Sequence, residues 1–89
     1  MNSYVIRFSE RAKTDLIFFK YSGNKNLIKK ATSILEDISK HPYLGIGKPE
    51  ALKHELSGKW SRRINNEHRL VYEVIENNII VIHSLKGHY

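Results

Sequence analysis

The sequence predicts an α+β fold in the order β-α-α-β-β-β, with a largely antiparallel twisted sheet and both helices packed on one face. Three observations predict it. Apolar residues recur with a helical period across residues 10–40. Beyond residue 59 the apolar residues fall in short strand-like runs separated by turn residues. One further alternating run precedes the first helix. With 89 residues and no linker or low-complexity run, residues 1–89 form one domain.

Each element has a local reason. In "SYVIRF", Tyr4, Ile6 and Phe8 alternate with Val5 and Arg7, as in a half-buried strand. Ser9 is placed to cap a helix over about residues 10–21, whose apolar stripe is Ala12, Leu16 and Phe19. Gly23 terminates it. A second helix starts near Asn24–Asn26, with Leu27, Ile28, Ala31, Ile34, Leu35 and Ile38 at the 3.6-residue period. His41-Pro42 ends it, because the residue before proline avoids the α region. The short gap between the helices predicts an antiparallel hairpin. Two glycines and a proline make a loop of the segment that follows, and "ALKHEL" is a candidate short strand. "WSRRI", "RLVYEVIE" and "IIVIHSLK" are the main strands, the last two joined by a turn at Asn77-Asn78.

Register follows from the turns. A two-residue turn pairs Glu76 with Ile79, and counting outward sets Tyr72 against His83, Leu70 against Leu85 and Arg69 against Lys86. Leu70, Tyr72, Val74, Val81 and Leu85 then share the helix-packed face. A three-residue connection at Asn65-Asn66-Glu67 sets Ile64 against His68 and Arg63 against Arg69. Arg62 is the misfit: it falls on the apolar face and is expected to snorkel at an edge. These registers gather Arg63, Arg69, Lys86 and His88 at one end of the other face. A cationic cluster there suits an anion, and phosphate matches the fork of arginine. The competing reading is a solvated face whose charges pair with Glu67 or Glu73.

Composition narrows the partners. Fifteen Lys and Arg against nine Asp and Glu give a net charge of +6, which favours polyanions. There is no cysteine, so disulfides and zinc-thiolate sites are excluded. No signal-peptide pattern or membrane-spanning run is visible, and a cytoplasmic location is expected. Arginines with a histidine and a carboxylate make a minimal kit for cutting RNA, which supplies its own 2′-hydroxyl nucleophile. Histidine serves as base or acid near neutrality, and guanidinium groups stabilise the developing charge. A glutamate base needs a raised pKa, which neighbouring arginines oppose. No cofactor is expected, nor a metal site: His83 and His88 lie on opposite faces of the predicted strand. His54 and His68 read as partly buried, hydrogen-bonded residues, and Trp60 and Tyr72 as core. Lys29 and Lys30 read as a solvated helix face.

The stretch "GKPEALKHELSGKWSRRINNEHRLVYEV" and the terminal "HY" resemble the YoeB/Txe branch of the RelE-like bacterial toxins. The resemblance implies a ribosome-dependent endoribonuclease that cuts messenger RNA in the decoding site without metal. It implies a partner antitoxin with an acidic, disordered C-terminal segment, and it admits a homodimer. By matching motif positions, Glu50 is the implied general base, His88 the general acid and Arg69 the stabiliser of the transition state. Lys53 and Arg63 support phosphate binding, Lys86 joins them from the register argument, and Tyr89 orients the substrate. Lys29, Lys30 and Arg62 are expected to face ribosomal RNA. Two positions depart from the pattern. Ala51 stands where a second proline is expected. Gly87 stands where an aromatic residue is expected, and glycine should loosen the backbone before His88. Two other readings stay open: a gyrase-type inhibitor on the same fold, and a basic nucleic-acid-binding module without catalysis.

Overall fold

The structure is a computed structural model that describes residues 4–87. A five-stranded sheet runs in the order β1-β5-β4-β3-β2, with β1 Val5–Phe8, β2 Glu50–Ala51, β3 Trp60–Arg63, β4 Arg69–Glu76 and β5 Ile79–Ser84. The strand pairs are antiparallel except β1 with β5, which is parallel. Helices α1 (Glu10–Tyr21) and α2 (Lys25–Lys40) connect β1 to the remaining strands. The predicted strand at "ALKHEL" is corrected. Only Ala51 of it pairs, together with Glu50, and His54–Leu56 form a 3₁₀ turn.

The helix ends follow their capping residues. Ser9 Oγ accepts from the Ala12 amide at 3.0 Å and donates to the His83 carbonyl at 2.9 Å, so one side chain caps α1 and ties it to β5. Asn24 caps α2 through the Leu27 amide, after a left-handed turn at Gly23. The core joins Ala12 and Phe19 of α1, Leu27, Ala31, Ile34 and Ile38 of α2, and Ile64, Leu70, Tyr72, Ile80, Ile82 and Leu85 of the sheet side. Tyr4, Ile6 and Phe8 pack against it, as the alternation of β1 requires.

The β3–β4 register is the expected one: Trp60 opposes Tyr72 and Arg63 opposes Arg69, and the Ile64 amide bonds the His68 carbonyl. The β4–β5 register is not. Glu76 does oppose Ile79, but Val74 then opposes Ile80 and Tyr72 opposes Ile82. An irregularity at Ile75 shifts the pairing by one residue, and a second, between Val71 and Tyr72, restores the expected count, so Val71 opposes Ser84. Ile80 and Ile82 therefore enter the core, whereas Val81 opposes Glu73 on the other face. A regular register would have left both isoleucines facing solvent.

Arg62 is the third correction. It does not snorkel: its side chain is fully buried. Its Nε donates to the Tyr72 hydroxyl, Nη1 to Asp37 Oδ2 and the Ile46 carbonyl, and Nη2 to the carbonyls of His41 and Leu44. Those bonds account for every N–H of a guanidinium. Tyr72 passes the chain on, donating to the Pro42 carbonyl at 2.6 Å. The loop of residues 41–47 is thus wound around one arginine. Gly45 is required there, since a Cβ would stand 1.8 Å from Asp37 Oδ2. Burial alone would raise the Asp37 carboxyl, but the Arg62 hydrogen bond, the Ile46 amide and the Arg62 charge outweigh it and hold Asp37 below its ordinary value. Burial pushes the Tyr72 phenol up, against the opposing pull of Arg62.

Candidate active site

The face of the sheet away from the helices carries the predicted site. On β3, Ser61 and Arg63 point to this face while Trp60 and Arg62 point to the helices. Arg69 stands directly opposite Arg63. Two arginines in direct cross-strand opposition repel, so something else must recommend the arrangement. A carboxylate stands nearby: Glu50 pairs with Ser61 at the edge of the sheet, and its Oε1 lies 3.9 Å from Arg69 Nη1. The Glu50 side chain is 61% exposed and that of Arg69 is 22% exposed. The approach of Glu50 was not derivable from sequence. It depends on β2, which is anchored by the Leu52 amide to the Lys59 carbonyl and follows the loop held by Arg62.

The other expected residues divide. Lys53 is exposed and lines one shallow depression with Glu50 and His54. Arg63 lines another with Lys30 and Lys48. Lys30 of α2 thus meets Arg63 at the edge of the sheet, whereas Arg62 is withdrawn from any RNA by its burial. Lys48 was overlooked, although it sits in the same "GKPE" motif that marks Glu50. Lys86, expected beside Arg69, turns its side chain toward α1. Its ammonium lies 4.0 Å from the ring centroid of Phe18 on α1. Of the carboxylates suggested as competing partners, Glu73 bonds to His83 at 3.0 Å and Glu67 lies 3.8 Å from His68. His83 accordingly stands on the Glu73 face, not opposite Tyr72. His88 and Tyr89 lie outside the described residues.

Gly87 is bonded through both of its backbone polar groups. Its amide donates to His68 Nδ1 at 2.8 Å and its carbonyl accepts from the Arg69 amide at 3.0 Å. With φ at +84°, Gly87 takes a left-handed conformation that glycine adopts freely. Among the described residues, no three His, Cys, Asp or Glu side chains group as metal ligands would, and no helix is long and apolar enough to cross a membrane.

Solved bacterial toxins share this fold. The YoeB dimer of Staphylococcus aureus is similar over 98% of this chain and 99% of its own, with 45% identity and a TM-score of 0.85. The YoeB–YefM complex of the same organism matches at 47% identity and a TM-score of 0.83, over 97% of this chain and 98% of that one. In sequence, toxin YoeB of Synechocystis is 44% identical over 84 residues, covering 94% of this chain and 95% of the relative. The model of the YoeB-like toxins of bacterial type II toxin–antitoxin systems matches residues 8–89, and the chain belongs to that family.

Proposed function

We propose that this toxin is a ribosome-dependent, metal-independent endoribonuclease that cleaves messenger RNA in the ribosomal A site. The observation that carries the reading is the Glu50–Arg69 pair, 3.9 Å apart on an exposed sheet face, with Arg63 across the strand from Arg69. Glu50 takes the proton of the 2′-hydroxyl. The O2′ atom then bonds to the adjacent phosphorus as the P–O5′ bond breaks, and His88 returns a proton to the leaving O5′. The products are a 2′,3′-cyclic phosphate and a 5′-hydroxyl. Arg69 stabilises the charge that develops on the phosphoryl oxygens. Arg63 and Lys53 hold the RNA backbone, with Lys48 and Lys30 extending the cationic track and Lys86 flanking it. Tyr89 orients the substrate.

The partners follow the same reading. A net charge of +6 suits an antitoxin with an acidic, disordered segment, and the S. aureus relative is a YoeB–YefM complex. A homodimer is proposed by analogy with the S. aureus YoeB dimer. Action on ribosomes puts the toxin in the cytoplasm.

Primer extension on a defined mRNA, with and without programmed ribosomes, tests the reading. Wild type should cut only with ribosomes, and Arg69→Ala should lower turnover about 100- to 1,000-fold with little change in ribosome binding. Glu50→Gln and His88→Ala should each suppress the cut. No cut by wild type, together with inhibition of gyrase, would replace the nuclease with the non-catalytic reading.

A further inference from the structure

We propose that His68 and Asp15 are positioning residues that clamp residues 85–87, the segment leading into His88, and that this hold supports the proton delivery assigned to His88. The proposal rests on the nuclease reading, in which His88 delivers a proton. Beyond Ser84 the chain leaves β5, yet the amides of residues 85–87 stay occupied. Asp15 is a buried carboxylate in the middle of α1, where an acid has no capping role. Its Oδ2 accepts from the amides of both Leu85, at 2.8 Å, and Lys86, at 3.0 Å. Arg11, one turn earlier, lies 3.8 Å from the same oxygen and also reaches the Lys86 carbonyl at 3.4 Å.

His68 completes the clamp from the opposite side. It is 5% exposed, and its ring packs on Phe19 at a centroid distance of 5.1 Å. Its backbone is fixed by Asn65, whose Oδ1 accepts from the His68 amide at 2.7 Å. Ring and backbone being held, Nδ1 points at the Gly87 amide as an acceptor, 2.8 Å away. Nδ1 therefore acts as the acceptor of this bond. The next residue in the chain, Arg69, binds the Gly87 carbonyl through its own amide. The residue that stabilises the phosphoryl charge and the residue that precedes the proton donor are thus joined directly. Gly87 suits this role because φ of +84° presents both groups to His68-Arg69 at little steric cost.

The test combines kinetics with amide exchange on the full chain. His68→Leu keeps an apolar body against Phe19 but removes the acceptor. His68→Asn puts an oxygen near the position of Nδ1. With programmed ribosomes as substrate, His68→Leu should lower kcat about 10- to 100-fold and leave KM within about twofold, as expected when a reacting group is displaced. His68→Asn should recover most of the loss. In wild type the Gly87 amide should be protected from hydrogen exchange, and His68→Leu should speed its exchange by about tenfold. Wild-type exchange at the rate of a free tail would overturn the clamp without any variant, even if His68→Leu did not fold. A folded His68→Leu that cuts like wild type would overturn it too. His88→Ala in the same assay separates the two proposals. If His88→Ala is inactive while His68→Leu is fully active, only the clamp fails. If His88→Ala is fully active, the nuclease assignment of the tail fails.

Discussion

Asp37→Ala removes the counter-charge of an arginine that water cannot reach. The Arg62 side chain is 0% exposed and keeps its bonds to carbonyls and to Tyr72, but a fully buried cation remains. Removing one partner of a buried pair costs about 3–5 kcal/mol. The Asp37 side chain is 23% exposed, so water can enter the vacated space and the lower end applies, about 3 kcal/mol. For a domain of this size that is a fall of about 12–24 °C in Tm. Asp37→Asn retains an acceptor for Arg62 and should lose less, about 1–2 kcal/mol. Thermal and urea melts followed by circular dichroism give both values. A loss below about 1 kcal/mol for Asp37→Ala, the range of exposed ion pairs, would refute the reasoning. It would mean that carbonyl dipoles and water already neutralise Arg62.

Two further predictions concern the same network. Tyr72→Phe leaves Arg62 Nε and the Pro42 carbonyl without their partner and should cost about 1–3 kcal/mol in the same melts. The pH dependence of stability should have matching limbs. Asp37 has a lowered folded pKa, so its contribution is complete above the ordinary carboxylate value and is lost as pH falls through the folded one; Asp37→Asn should flatten that acid limb. Tyr72 has a raised folded pKa, so its contribution is complete below its ordinary value near 10 and is lost as pH rises through the folded one. Tyr72→Phe should remove that basic limb.

The helices were legible because capping and period agree: Ser9 and Asn24 cap where expected, and Ala31, Ile34 and Ile38 are buried. The β3–β4 hairpin was legible because only one register puts both Trp60 and Ile64 toward the core. The β4–β5 register was not, because the irregularities at Ile75 and beyond Val71 interrupt simple counting. Arg63 and Arg69 came together as read, since their pairing depends on that one hairpin. Glu50 reached them through a loop whose path depends on Arg62, and a buried arginine cannot be told from a snorkelling one by pattern alone. Asp15 escaped notice for a similar reason. A charged residue one position from an apolar stripe reads as surface until its partners are seen, and they lie 70 residues away.

Arg62 and Arg63 are adjacent in sequence and chemically alike, yet β3 sends them to opposite sides. One disappears into a cage of carbonyls behind the sheet, and the other stands on the cationic face in front. A slip of β3 by one residue would turn each side chain to the other side, so the caged guanidinium and the one opposite Arg69 would both leave their present partners. The two errors cannot occur separately. A chain that mispairs this strand therefore loses the Arg63–Arg69 pair and the Arg62 cage together, so the dipeptide ties the cationic face to correct folding.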